Sequence, residues 1–155
     1  MRRPLTIAAF LLCLATSAGR AEAQSAYVNG LRALAFGTVL SGVPKHILPS
    51  DAVNGGQFEF KAAGATQVQL QFTLPTQLNG PAGATLSVSF STTDAIVQGL
   101  SGGSTPLTIN PNLITVYTLG AGSRYNVWIG GTVSPTGGQA QGAYSSTISL
   151  TMTVL

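Results

Sequence analysis

One cysteine, one histidine and one tryptophan occur in 155 residues, and only 7% of the chain is charged. Each shortage removes a class of chemistry. The cysteine, Cys13, lies in an apolar amino-terminal run. Everything after it therefore lacks a thiol, a disulfide partner and a sulfur ligand for zinc. Nucleophilic catalysis needs a base beside the nucleophile. The single histidine, His46, stands between prolines in VPKHILPS, which predicts an exposed loop. After residue 23 the acidic residues are Asp51, Glu59 and Asp94 alone. Glu59 alternates with Phe58 and Phe60, which turns it to solvent near Lys61. Asp51 reads as a turn residue and Asp94 as a strand-end residue. No carboxylate pair for glycosidase chemistry is expected, and no Asp-rich loop offers the oxygen ligands that calcium needs. No glycine loop leads into a helix as a phosphate cradle does. The expectation is no catalytic site, no cofactor site and no metal site, and a chain that is not an enzyme.

The amino terminus accounts for much of the charge that is present. Arg2 and Arg3 precede the apolar run LTIAAFLLCLATSA, and Ala21-Glu22-Ala23 places small residues where a signal peptidase reads them. Residues 1–23 are predicted to be a cleaved secretory signal peptide. The apolar run is shorter than the roughly 20 residues that span a bilayer. Bulky Leu12 precedes Cys13, where lipid attachment needs a small residue. Export to the periplasm, the cell surface or the extracellular space is expected, with no membrane insertion after cleavage. Cleavage removes Arg2, Arg3, Arg20 and Glu22. Four basic side chains (Arg32, Lys45, Lys61, Arg124) then face three acidic ones, so the net charge falls from +3 to +1. No basic cluster remains, so a nucleic-acid partner has no electrostatic footprint. A surface this neutral gives little repulsion between copies, which favours self-association or association with another surface subunit.

What the chain has in quantity is alternation. QVQLQFTL puts Val68, Leu70, Phe72 and Leu74 on one face and Gln67, Gln69, Gln71 and Thr73 on the other. TLSVSFS does the same with Leu86, Val88 and Phe90, and QFEFKA with Phe58 and Phe60. This is the period of half-buried strands. LITVYTL and YNVWIGGTV are denser and are expected near the middle of a sheet, while LRALAFGTVL predicts an irregular strand pair around Gly37. Trp128 reads first as an anchor of the core or of a subunit interface, with a carbohydrate-stacking platform as the alternative. Gly130-Gly131 predicts a bulge or a close backbone approach. Turn signals such as Asn54-Gly55-Gly56 and Asn79-Gly80-Pro81 separate the strands. PKHILPSDAVNGG and LSGGSTPLTINPN are expected to be loops. The fold class predicted is all-β: one immunoglobulin-like antiparallel β-sandwich over residues 24–155, with about seven to eight strands.

Three stretches, LAFGTVLSGVPKHILPSDAVNGGQFEF, VQLQFTLPTQLNGPAGATLSVSF and VWIGGTVSPTGGQAQGAYSSTISLTMTVL, resemble the bacterial family catalogued as domain of unknown function 4402. The likeness covers nearly all of the chain after the signal. Its most specific parts are Phe36-Gly37-Thr38-Val39, Phe72-Thr73-Leu74-Pro75, Val127 to Val133, and the Gly142-x-Tyr144 lead-in to the last strand. The family's members often finish on an aromatic residue, whereas this chain finishes on Leu155. The resemblance implies export and a sandwich similar to that of fimbrial and spore-coat-U-type subunits.

In such subunits a neighbour's extended segment completes the sandwich by strand addition. The last strand, YSSTISLTMTVL, fits that scheme, with Ile148, Leu150, Met152 and Val154 on one face as groove or core lining. Tyr27 and Val28 are the candidate donor residues. The function expected is a non-enzymatic structural or adhesion-type protein of the bacterial surface or periplasm. The alternative is a fimbrial-like subunit that polymerises by donor-strand addition. Pairing of LRALAFG with the last strand of its own chain would instead close the sandwich.

Overall fold

The computed structural model describes residues 26–62, 67–100, 104–120 and 124–155. The expected signal peptide, with Cys13 and the Ala23 cleavage point, lies outside the described residues. Among the described residues twelve strands follow one another: β1 (Tyr27–Arg32), β2 (Lys45–Ile47), β3 (Gly56–Lys61), β4 (Gln67–Thr73), β5 (Gln77–Asn79), β6 (Thr85–Ser89), β7 (Ala95–Gly99), β8 (Leu107–Ile109), β9 (Thr115–Thr118), β10 (Arg124–Ile129), β11 (Gly131–Ser134) and β12 (Ser149–Val154). They form antiparallel sheets ordered β1-β3-β10-β7-β8, β2-β11-β6-β5 and β12-β4-β9. The fold is an all-β sandwich. The strand count exceeds the seven to eight expected, partly because both expected loops hold short strands, β2 and β8.

It also rises because one long strand is broken in two. β10 runs between β3 and β7, and β11, its continuation, runs between β2 and β6. The break is Gly130. A Cβ there would lie 2.2 Å from the Ile47 carbonyl oxygen and 2.8 Å from the Pro49 nitrogen, so only glycine admits the approach. The Gly130 N–H donates to the Asp94 carbonyl at 2.8 Å. The expected bulge is thus the hinge that turns the five-stranded sheet into the four-stranded one.

The main core lies between the five-stranded and three-stranded sheets. Phe60, Val97, Val127 and Ile129 meet Val68, Leu70, Phe72 and Leu150. Each such side chain, once buried, contributes about 1.5–3 kcal/mol. The rings interlock as well: Phe60 stacks on Tyr125 at 5.3 Å, and Tyr117 meets Tyr125 edge-on at 5.4 Å. Burial raises the pKa of the Tyr117 hydroxyl, with Tyr125 adding to it. Two expectations about strand position need correction. LITVYTL supplies β9, an edge strand of the three-stranded sheet, with Leu113, Ile114 and Val116 exposed. LRALAFGTVL makes no strand pair of its own. Leu31 and Arg32 end β1, and residues 33–41 join no strand.

Candidate functional site

The four-stranded sheet is the part of the sandwich without a facing sheet among the described residues. Its inner side chains, Leu86, Val88 and Val133, form a second core. What covers them is irregular: Phe36 and Val39 from one segment, and Tyr144 from another. Between these covers runs a groove of about 1430 Å³ that extends along residues 30–41 and 139–148. Leu78, Leu86, Val88 and Phe90 line it from the sheet, and Ile148 from the lead-in to β12.

Residues 33–41 and 139–148 lie outside the named strands, and each segment contains a glycine of positive φ, Gly37 at 59° and Gly142 at 146°. Along residues 33–41, Leu34, Phe36 and Val39 are half-buried between exposed neighbours, the burial rhythm of a strand without its pairing. The Ala35 N–H donates to the Asn54 carbonyl at 2.8 Å, and Lys45 Nζ donates to the Thr38 carbonyl at 3.2 Å. On the other wall Ser145 bridges Asn79, each N–H donating to the other's carbonyl at 2.9 and 2.8 Å. Tyr144 is pinned beside it. Its hydroxyl donates to the Ala140 carbonyl and accepts from Gln139 Nε2, both at 2.7 Å. Its ring lies over Gly80, where any Cβ would fall 2.3 Å from the ring. The Tyr144 ring packs against the second core.

β12 pairs with β4, from Ser149 opposite Thr73 to Val154 opposite Val68. Leu150 is buried, Ile148 and Met152 border the main core, and Val154 is 47% exposed. The inward face expected of these residues therefore holds until its last member. LRALAFG does not pair with β12. The amino-terminal strand pairs with β3 instead, with Tyr27 opposite Lys61 and Val28 opposite Phe60. Val28 borders the main core. Tyr27 faces outward and donates to Glu59 at 2.7 Å, a bond that raises the tyrosine pKa.

Three polar residues can be set against their expected places. His46 is in β2, not in a loop, and its Nε2 lies 3.0 Å from Asp94 Oδ1. Asp94 is 1% exposed, and its Oδ2 accepts the Ser91 N–H at 2.8 Å. The pair ties β2 to the turn before β7. Glu59 is half-buried and bonded to Tyr27 and, at 3.5 Å, to Arg124, not to Lys61. Asp51 is the turn residue expected. Its Oδ1 accepts the Val53 and Asn54 N–H groups at 2.9 Å, and its Oδ2 accepts Asn54 Nδ2 at 3.0 Å. The Asn54 side chain, then the two backbone bonds, hold its carboxyl below the ordinary value of 3.8.

Sequence reasoning missed two features. Gly99-Leu100-Ser101-Gly102-Gly103 has the Gly-x-Ser-x-Gly spacing of a nucleophile elbow. That elbow needs a strand-to-helix turn, whereas the next element here is the strand β8. Ser101 itself lies outside the described residues. The groove was also missed, although the half-apolar rhythm of Leu34, Phe36 and Val39 was there to be seen. Among the described residues, no three His, Asp or Glu side chains cluster as metal ligands, and no helix is long and apolar enough to cross a membrane.

No model of a known protein family matches the chain, and no curated protein matches it either.

Proposed function

We propose that the chain is an exported, non-enzymatic structural or adhesion-type protein of a bacterial surface or periplasm, and that it assembles as a fimbrial-like subunit. The observation that carries this is the groove over the four-stranded sheet. Its two walls, residues 33–41 and 139–148, lie outside the named strands, and Leu78, Leu86, Val88 and Phe90 give it an apolar floor. An extended segment from a second copy fits there by strand addition, with backbone bonds to the walls and side chains over Leu86 and Val88. The near-neutral surface supports close approach of copies. The donor is the amino-terminal stretch with Tyr27 and Val28, released from its own β3 to lie in the groove of the next molecule.

A disulfide lock tests it. Tyr27 and Lys61 are register partners on β1 and β3. Antiparallel partners sit about 4.5–5.5 Å apart at Cα, within the reach of a disulfide. With the signal removed, the chain has no other cysteine. Residues 24–155 carrying Tyr27→Cys and Lys61→Cys are expected to sediment as monomers when oxidised and as oligomers when reduced. The unmodified protein should form oligomers that grow with concentration. A protein that stays monomeric at millimolar concentration defeats the assembly reading. Oligomers that persist in the oxidised lock defeat the donor assignment.

A further inference from the structure

A second concavity lies on the outer face of the five-stranded sheet, away from the groove. Residues along β10 alternate between faces, so Tyr125, Val127 and Ile129 enter the core while Trp128 turns outward. This corrects the reading of Trp128 as a core anchor. Trp128 stands opposite Ile96 of β7, and the two line a pocket of about 310 Å³ with Pro49, Ala52 and Pro106. That volume is at the small end of ligand sites, which span about 300–1,000 Å³.

The polar groups around the pocket are all neutral. Ser50 and Gln98 line it, and among the described residues no charged one does. Gln98 Nε2 donates to the Ser104 carbonyl at 2.9 Å, which fixes the amide.

We propose that this pocket binds a neutral pyranose of a surface glycan. The sugar's apolar C–H face stacks on the indole, and its hydroxyls bond to the Gln98 amide and the Ser50 hydroxyl. A sulfated or carboxylated sugar gains no ion pair here and loses part of its hydration, so the site selects against it. The inference does not depend on the assembly reading, because the pocket and the groove share no lining residue.

Trp128 is the sole tryptophan, so its emission reports on this pocket alone. Residues 24–155 are titrated with β-1,4-linked tetrasaccharides of glucose, of N-acetylglucosamine and of galactose. A heparin tetrasaccharide and a proline-rich peptide serve as comparisons. At least one neutral sugar is expected to give a saturable emission change at millimolar concentration, about tenfold weaker or lost in Gln98→Ala. Calorimetry on Trp128→Ala should show no binding. The oxidised disulfide lock, with Tyr27→Cys joined to Lys61→Cys, should bind as well as the unmodified protein, which separates this result from any failure of assembly. No saturable change with any neutral sugar, equal binding by heparin, or a response only to the peptide would each overturn the proposal. So would full affinity in both Gln98→Ala and Trp128→Ala.

Discussion

Gly130 is required by distance, not by its backbone angle. Any Cβ at this position meets the Ile47 carbonyl at 2.2 Å, so Gly130→Ala must push β2 away from β11. The expected loss is about 1–3 kcal/mol, read as a lower urea midpoint with the strand signal in circular dichroism retained. The His46–Asp94 pair makes a second residue-scale prediction. His46 has 44% of its side chain exposed, but Asp94 has only 2%. His46→Ala therefore removes little packing and leaves a buried carboxylate short of a partner, at about 1–3 kcal/mol. Adding Asp94→Asn should recover part of that loss, and unchanged urea midpoints throughout would show the pair to be idle. Asp51 makes a prediction in pH. Its carboxyl is held below 3.8 in the folded chain, chiefly by the Asn54 side chain. A depressed pKa stabilises the fold above the unfolded value, and that contribution is lost as pH falls below 3.8 and through the folded value. Asp51→Asn should be less stable at neutral pH, and the gap in urea midpoint should close as the pH is lowered through this range.

At the scale of elements, alternation located the strand faces but not the extent of the sheet opposite. β12 shows this. Leu150 and Val154 stand in the same alternating row, yet Leu150 is 8% exposed and Val154 is 47% exposed. Leu150→Ala is expected to cost about 2–5 kcal/mol, and Val154→Ala no more than about 0.5 kcal/mol. Equal urea midpoints for the two variants would contradict this placement. β9 is the complementary case. Its dense apolar pattern suits a central strand, but no described strand pairs with its outer side, and Val116 stays 55% exposed. An uncharged, apolar edge strand is a template for unwanted pairing. Val116→Lys should slow aggregation in light scattering while moving the urea midpoint by less than about 0.5 kcal/mol equivalent. The groove was hidden for a related reason. Leu34, Phe36 and Val39 carry a strand's rhythm, but whether a rhythmic segment finds a ladder depends on backbone elsewhere in the chain.

For the whole molecule, what the sequence by itself determined was the fold class, the main core and the glycine break in the central strand. Period-two alternation puts Val68, Leu70 and Phe72 on one face, because successive side chains of a strand must point to opposite faces. The scarcity of charge was equally a property of composition. Only the tertiary structure decided which strands became neighbours. It set β1 on β3 and paired β12 with β4. It brought His46 to Asp94 across 48 positions, turned Trp128 outward into a neutral pocket, and covered the four-stranded sheet with segments outside the named strands. These outcomes are contacts between residues far apart in the chain. Their free energy depends on which surfaces meet after folding, and no local pattern of residues carries that information.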